Sequence, residues 1–250
     1  ILAMAFEKGF IPAISLLWAD KVKGTWLANQ FKPEHVIPLD AVQQYAEYVA
    51  KAFAEFEPIY MISGDANFDS KDTSQAYLIA LDIIKSICPD SLTTMHIWGD
   101  TSYLPEEIVQ SKIDFYMYQS GHKRHMQHVA YQFAQDLYHL PVKRPIVNAE
   151  PCIEGLQGLL GWGEIEQARF CAFDVRKAIW RSLLSGAKAG IGYGAYGIWP
   201  WHTSSDVWQE SWMQGEDPWE GEKYFGQPYP WKNALRFKGA WDVSFARWIF

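Results

Sequence analysis

The sequence predicts an α/β fold: a (β/α)8 (TIM) barrel whose first two strands lie upstream of residue 1. Three observations lead there. The chain has 250 residues, the ordinary size of one such barrel. Six apolar runs of strand length alternate with segments of helical periodicity. Those runs end in polar or aromatic residues, as strands do at the carboxyl edge where α/β barrels carry their chemistry. Six α/β units are two short of the eight that close a barrel. The competing architecture is a doubly wound open sheet. No glycine-rich phosphate loop follows the first strand, which weakens a nucleotide-binding version of it.

In chain order, Ile1–Lys8 reads as the end of an amphipathic helix, stopped by Gly9. The chain opens inside this helix with no initiator, so the true amino terminus is expected upstream. Phe10–Trp18 is the first strand, and 20–37 a polar, aromatic-bearing loop. Leu39–Phe56 carries apolar residues at Val42, Tyr45, Ala46, Val49, Ala50 and Phe53, a helical spacing with Asp40 as its expected cap. The run 58–65 is a strand ending in Gly64-Asp65, and Ser74–Ile87 a helix. Ser91–Trp98 is a strand, followed by a loop with Pro105 and a short helix. Ile113–Gln119 is a strand, His125–Tyr138 a helix, and 145–150 a strand ending in Glu150. Glu164–Ser185 reads as one long helix. Gly190–Trp199 is the last strand, with glycines where backbone or ligand must come close. Residues 200–230 read as a long ordered loop and Asn233–Phe250 as a terminal helix. No repeat, linker or low-complexity tract interrupts this order, so 1–250 is expected to be one partial catalytic domain.

Composition narrows the function. The net charge of −7 without a basic run argues against a nucleic-acid partner. No run reaches the ~18 apolar residues of a membrane span. Aromatic residues make up 16 % of the chain, with 13 Trp. Indole faces stack on the apolar face of a sugar ring, although bulky helix–strand packing also uses them. The 3 cysteines, Cys88, Cys152 and Cys171, lack metal-site spacing and are expected to be buried thiols, with room for one disulfide. Neither cofactor nor metal is expected. Oligomeric state is open, and an extracytoplasmic location is expected only from the substrate class.

With two strands absent, the six strands number three to eight in a barrel. Strand 3 then ends in Trp18 and Asp20, strand 4 in Asp65, and strand 5 in His96, Trp98 and Asp100. Strand 6 ends in Gln119-Ser120-Gly121-His122, strand 7 in Glu150 with Glu154 beyond, and strand 8 in Tyr193, Tyr196 and Trp199. Acids on strands 4 and 7 face each other across a barrel mouth. Two carboxyls in different environments suit glycoside hydrolysis, one protonated to donate to the leaving oxygen and one ionised. A separation of roughly 5–5.5 Å implies retention and roughly 6.5–9.5 Å inversion. His96, Gln119, His122 and Glu154 are candidates to bind sugar hydroxyls, and Trp18, Trp98, Tyr193 and Trp199 to stack on the ring. Blander readings stand beside these. Asp65 could cap a turn, Glu150 could pair with Arg144 or Arg169, and His96 could be a core histidine. His122, His125 and His128, spaced by three, could form a metal face on a helix. A carbohydrate-binding barrel without catalysis, or a metal-dependent hydrolase using His96 and His122, would keep much of the same set.

Taken in order, these segments resemble a known family. The pieces are Ile62-Ser63-Gly64-Asp65, Thr94-Met95-His96, Tyr118-Gln119-Ser120-Gly121-His122 and Glu150-Pro151-Cys152-Ile153-Glu154-Gly155. Phe173-Asp174-Val175-Arg176-Lys177-Ala178 and the run from Gly192 to Trp199 continue the series. The pattern resembles the apiosidase-like (β/α)8 glycoside hydrolases, relatives of glycoside hydrolase family 140. The resemblance implies a retaining glycosidase acting on a complex, plant-type glycan. It further implies Asp65 as acid/base and Glu150 as nucleophile. Ser63 departs from it, standing where the family usually has a second glycine. The segment 203–230 departs too, being longer and richer in tryptophan.

Overall fold

A computed structural model describes residues 1–30, 33–161, 164–203 and 227–249. The predicted 200–230 loop lies mostly outside the described residues. The chain divides into two compact units, Ile1–Tyr118 with His139–Pro145, and Gln119–Tyr138 with Ile146–Phe250.

The first unit begins with helix α1 (Leu2–Glu7) and strand β1 (Ala13–Trp18). Helix α2 (Leu39–Phe53) buries Val42, Ala46, Val49 and Ala50 of the stripe its sequence spacing predicts, while Tyr45 is exposed and Phe53 half-buried. Asp40 is not its cap. The cap position is Pro38, and Asp40 lies in the first turn, where its charge meets the positive end of the helix. Strand β2 (Ile59–Ala66) leads to α3 (Lys71–Ile87), which starts before the expected Ser74 because the Ser70 hydroxyl accepts from the Thr73 N–H at 3.2 Å. Strand β3 (Thr93–Ile97), the short helix α4 (Glu106–Val109) and strand β4 (Tyr116–Gln119) follow, and β4 carries its last residue into the second unit.

β1 pairs parallel with β2 from Ala13↔Ile59 to Trp18↔Gly64, β2 with β3, and β3 with β4 at His96↔Met117. Every residue of β3 and β4 is buried, the expectation for parallel strands covered on both faces. Polar clamps hold the amino ends. The Arg144 guanidinium donates to the carbonyls of Val109, Ser111 and Ile113, each at 2.7 Å, and to the Tyr116 hydroxyl at 2.9 Å. Asp114 accepts from the Lys85 ammonium at 2.7 Å, the Thr93 N–H at 2.7 Å and the Thr93 hydroxyl at 2.9 Å.

The second unit holds α5 (Val129–Tyr138), β5 (Ile146–Glu150), β6 (Gln157–Gly161) and β7 (Glu164–Arg169). After these come α6 (Ala172–Leu184), β8 (Gly190–Ile191), α7 (Trp231–Ala234) and α8 (Gly239–Ala246). β5 and β8 pair parallel at Val147↔Gly190 and Asn148↔Ile191. The Asn148 amide, fully buried, donates to the hydroxyls of Ser120 (3.0 Å) and Ser182 (2.9 Å), tying β5 to α6. Cys152, Leu156, Phe170, Val175, Ile179 and Leu183 form the apolar core.

Four sequence expectations change here. The segment from Glu164 is not all helix. Glu164–Arg169 pairs antiparallel with β6, and α6 begins only where Cys171 and Asp174 form a capping box. The last strand is two residues long; just beyond it the Gly192 N–H donates to the Asn148 carbonyl at 2.7 Å, and a Cβ at Gly192 would sit 1.8 Å from the Ala149 carbonyl oxygen, so no side chain fits there. The terminal helix is two helices, α7 and α8, separated by residues 235–238. All three cysteines are free thiols, and Cys171 is exposed rather than buried.

The described residues thus contain six parallel strands alternating with helices, in the order the sequence predicts. Among the described residues, no helix is long and apolar enough to cross a membrane.

Candidate active site

In the first unit, the carboxyl ends of β1, β2 and β3 gather one acid, one histidine and three tryptophans. Gly64 is what lets them approach. A Cβ there would meet Trp18 Cε3 at 2.2 Å and Ser15 Oγ at 2.7 Å, so the Trp18 ring lies against bare β2 backbone. Trp18 remains 41 % exposed, an open aromatic face beside the next residue, Asp65. Asp65 has φ 52°, in the left-handed region that residues with a Cβ seldom occupy. Its Oδ1 lies 4.0 Å from Nδ1 of the buried His96. The Ser63 hydroxyl donates to the His96 carbonyl at 3.1 Å, and the Trp18 and His96 rings are 6.4 Å apart. Trp98 stacks on Trp26 at 4.9 Å and 20°. Behind them the Tyr77 hydroxyl is fully buried. Burial, then the charges of Asp20 and Asp65, push its ionisation well above the usual tyrosine range. It is Ser70, not Asp65, that caps α3.

In the second unit, Glu150 closes β5 with Oε1 2.9 Å from His122 Nε2. Backbone bonds fix both residues. The N–H groups of Ser120 (3.0 Å) and Gly121 (3.3 Å) donate to the Glu150 carbonyl, and the Leu159 N–H donates to the His122 carbonyl at 2.9 Å. Gly121, at φ 65°, supplies the turn that swings His122 back toward Glu150. Gln119, just before, is buried at the end of β4. The arginines that could have neutralised Glu150 are engaged elsewhere. Arg144 clamps the carbonyls of the first unit, and Arg169 donates to the carbonyls of Gly155 (2.6 Å) and Gln227 (2.9 Å). His122, His125 and His128 do not share a helix, since a 3-10 turn spans Arg124–Met126 and α5 starts at Val129.

Glu154 and Tyr193 form a separate pair. Glu154 is 6 % exposed, and its Oε2 accepts from the Tyr193 hydroxyl at 2.7 Å and from the Gly239 N–H at 2.9 Å. Burial, and then the Glu154 carboxylate, push the Tyr193 hydroxyl far above its usual range. Glu154 therefore caps the amino end of α8, an architectural position for a residue expected to bind sugar. Trp199 is 51 % exposed, 6.1 Å from Tyr196. Trp26, Asn67 and the stacked pair Trp201–Trp231 escaped sequence reasoning. The aromatic-bearing 20–37 loop was the available signal for Trp26.

The family described as Apiosidase-like, catalytic domain matches residues 1–250. The chain belongs to that family. Its strand-end acids Asp65 and Glu150 thus stand in a glycosidase catalytic-domain family. A solved structure described as a glycoside hydrolase has a TM-score of 0.76 at 20 % identity, covering 99 % of this chain and 52 % of that one. A glycoside hydrolase family 5 protein from Bacteroides vulgatus gives 0.73 at 20 % identity, covering 98 % and 50 %. A thermostable mutant of a xylanase from Cellvibrio japonicus gives 0.59 at 12 % identity, covering 98 % and 80 %. The chain spans about half the length of the first two, and at these identities the likeness is one of fold. Among curated proteins, none matches the chain.

Proposed function

We propose that this chain is the catalytic part of a retaining glycoside hydrolase that cleaves an apiosyl-type linkage in a complex, plant-type glycan. Asp65 is the acid/base and Glu150 the nucleophile. The observation that carries the reading is that each acid ends a parallel strand in a different setting. Glu150 is hydrogen-bonded to the His122 ring at 2.9 Å. With Nε2–H as donor, that bond favours the ionised carboxylate a nucleophile needs. Asp65 sits beside an exposed tryptophan face, where a sugar and its leaving group could lie. His96, Gln119 and His122 offer polar groups to ring hydroxyls, and Trp18, Trp98 and Trp199 offer stacking faces. Family membership supports the reaction class.

The test is hydrolysis of a panel of apiosyl, arabinosyl and related glycosides by the natural full-length protein, with the product anomer read by NMR. Asp65→Asn and Glu150→Gln are each expected to abolish turnover while leaving the circular dichroism spectrum unchanged. Turnover near the wild-type rate in either variant overturns the role assigned to that residue. An inverted first-formed anomer overturns retention. Binding without hydrolysis across the panel points instead to a carbohydrate-binding barrel.

A further inference from the structure

The turn that carries Asp65 is held by two stacked tryptophans. The Trp26 indole N–H donates to the Asp65 carbonyl at 2.7 Å, and the Trp26 backbone N–H donates to Asn67 Oδ1 at 2.6 Å. The Trp98 backbone N–H donates to the Ala66 carbonyl at 2.9 Å. Three consecutive residues, 65 to 67, are thus tied to one aromatic pair whose rings stack at 4.9 Å. The side chain of Asn67 is tied in turn to Asp69. These bonds fall where the backbone needs them. Asp65 is at φ 52°, and a residue with a Cβ stays there only when its surroundings determine it. The indole bond fixes the plane of the 65–66 peptide and hence ψ of Asp65, and the Trp98 bond fixes the next peptide. If that turn relaxed to negative φ, the Cα–Cβ direction would swing and carry the carboxylate away from the His96 ring, now 4.0 Å distant.

We propose that Trp26 is a positioning residue for Asp65: its indole N–H holds the left-handed turn that aims the carboxylate at the leaving-group oxygen. This rests on the acid/base reading of Asp65. The role belongs to the N–H and not merely to a ring, and phenylalanine tests this by keeping a smaller aromatic ring at the position while removing the donor. Misplacing an acid by about 1 Å costs on the order of 100-fold. The cost falls on substrates whose leaving group needs a proton and spares those whose leaving group departs as a stable anion.

The experiment compares kcat/KM, which reports formation of the glycosyl-enzyme, for methyl and 2,4-dinitrophenyl apiosides, or arabinosides where the panel selects that sugar. Wild type, Trp26→Phe and Asp65→Ala are made in the natural full-length protein. Trp26→Phe is expected to lose roughly 10- to 100-fold on the methyl glycoside and less than about threefold on the dinitrophenyl one. Asp65→Ala is expected to give the same split, larger. Equal losses on both substrates, or none, in Trp26→Phe while Asp65→Ala splits them overturn the positioning role alone. No split in Asp65→Ala overturns the acid/base reading and this inference with it, as does a wild type that cleaves neither glycoside. Should Trp26→Phe fail to fold, Asn67→Ala, which frees the other anchor of Trp26, carries the same predicted split.

Discussion

Replacing Glu154 by alanine removes a buried carboxylate that satisfies two donors at once. Its Oε2 accepts from the Tyr193 hydroxyl at 2.7 Å and from the Gly239 N–H at 2.9 Å. The N–H belongs to the first residue of α8, whose cap position, Lys238, offers no side-chain hydrogen bond. Each donor left buried and unpaired costs about 1–3 kcal/mol, so the alanine variant loses about 4 kcal/mol in all. At about 2–4 °C per kcal/mol for a chain of this size, the melting temperature falls by roughly 8–16 °C. Glu154→Gln keeps an acceptor oxygen and loses only the charge, so its loss is about 1–2 kcal/mol. Gly239→Ala destabilises by another route, because its Cβ would lie 2.4 Å from Glu154 Oε2. The assay is calorimetric melting of each variant beside KM for the cleaved glycoside, measured well below the transition. An architectural Glu154 predicts a lowered melting temperature with KM unchanged. A melting temperature within about 2 °C of wild type, accompanied by a raised KM, would refute it and return Glu154 to the sugar site.

Two further predictions rest on titrating groups. Burial pushes the Cys152 thiol up to about 12, whereas Cys171 is exposed at the start of α6. Thiol reagents should therefore label one cysteine in the native protein, and Cys171→Ser should abolish that labelling; native labelling of Cys152 contradicts the burial. Asp114 is the second case. Burial raises its carboxyl, but the Lys85 ammonium and the Thr93 N–H and hydroxyl outweigh this and hold it below the usual carboxylate value. A depressed folded value stabilises the native state above the unfolded value of about 3.9 and loses that contribution as pH falls through the folded value. The stability gap between wild type and Asp114→Asn, measured by denaturant titration, should hold from neutral pH to about pH 5 and close below about pH 4. A gap that stays constant into acid contradicts the ion pair.

The strands were legible because buried parallel strands write themselves as apolar runs, and β2, β3 and β5 did so. Asp65 and Glu150 could be read as strand ends for the same reason. What escaped depended on distant partners. Glu150 and Glu154 lie four positions apart in similar surroundings, and Gly239, 85 residues away, decides that Glu154 is a helix cap. Trp26 reaches Asp65 across 39 residues, so nothing local to either marks their bond. The helix expected from Glu164 failed at its start, where pairing with β6 overrode a helix-compatible sequence. Gly192, Gly194 and Gly197 are points of close approach, as the sequence predicts, whereas a Cβ at Gly190 would meet Val147 only at an ordinary 3.7 Å. Gly192 meets the Ala149 carbonyl so closely that no side chain fits there.

Chemical rescue tests the central claim most directly, because it asks both acids for their roles in one measurement. Asp65→Ala and Glu150→Ala are each incubated with a 2,4-dinitrophenyl glycoside and sodium azide, and the glycosyl azide is identified by NMR. Without its acid/base, the enzyme still forms the glycosyl-enzyme, and azide opens it to a product of retained configuration. Without its nucleophile, azide fills the vacated space and gives the inverted product. Retained azide from Asp65→Ala and inverted azide from Glu150→Ala are the predicted pair. The reverse pair, or full activity without azide in either variant, would contradict it.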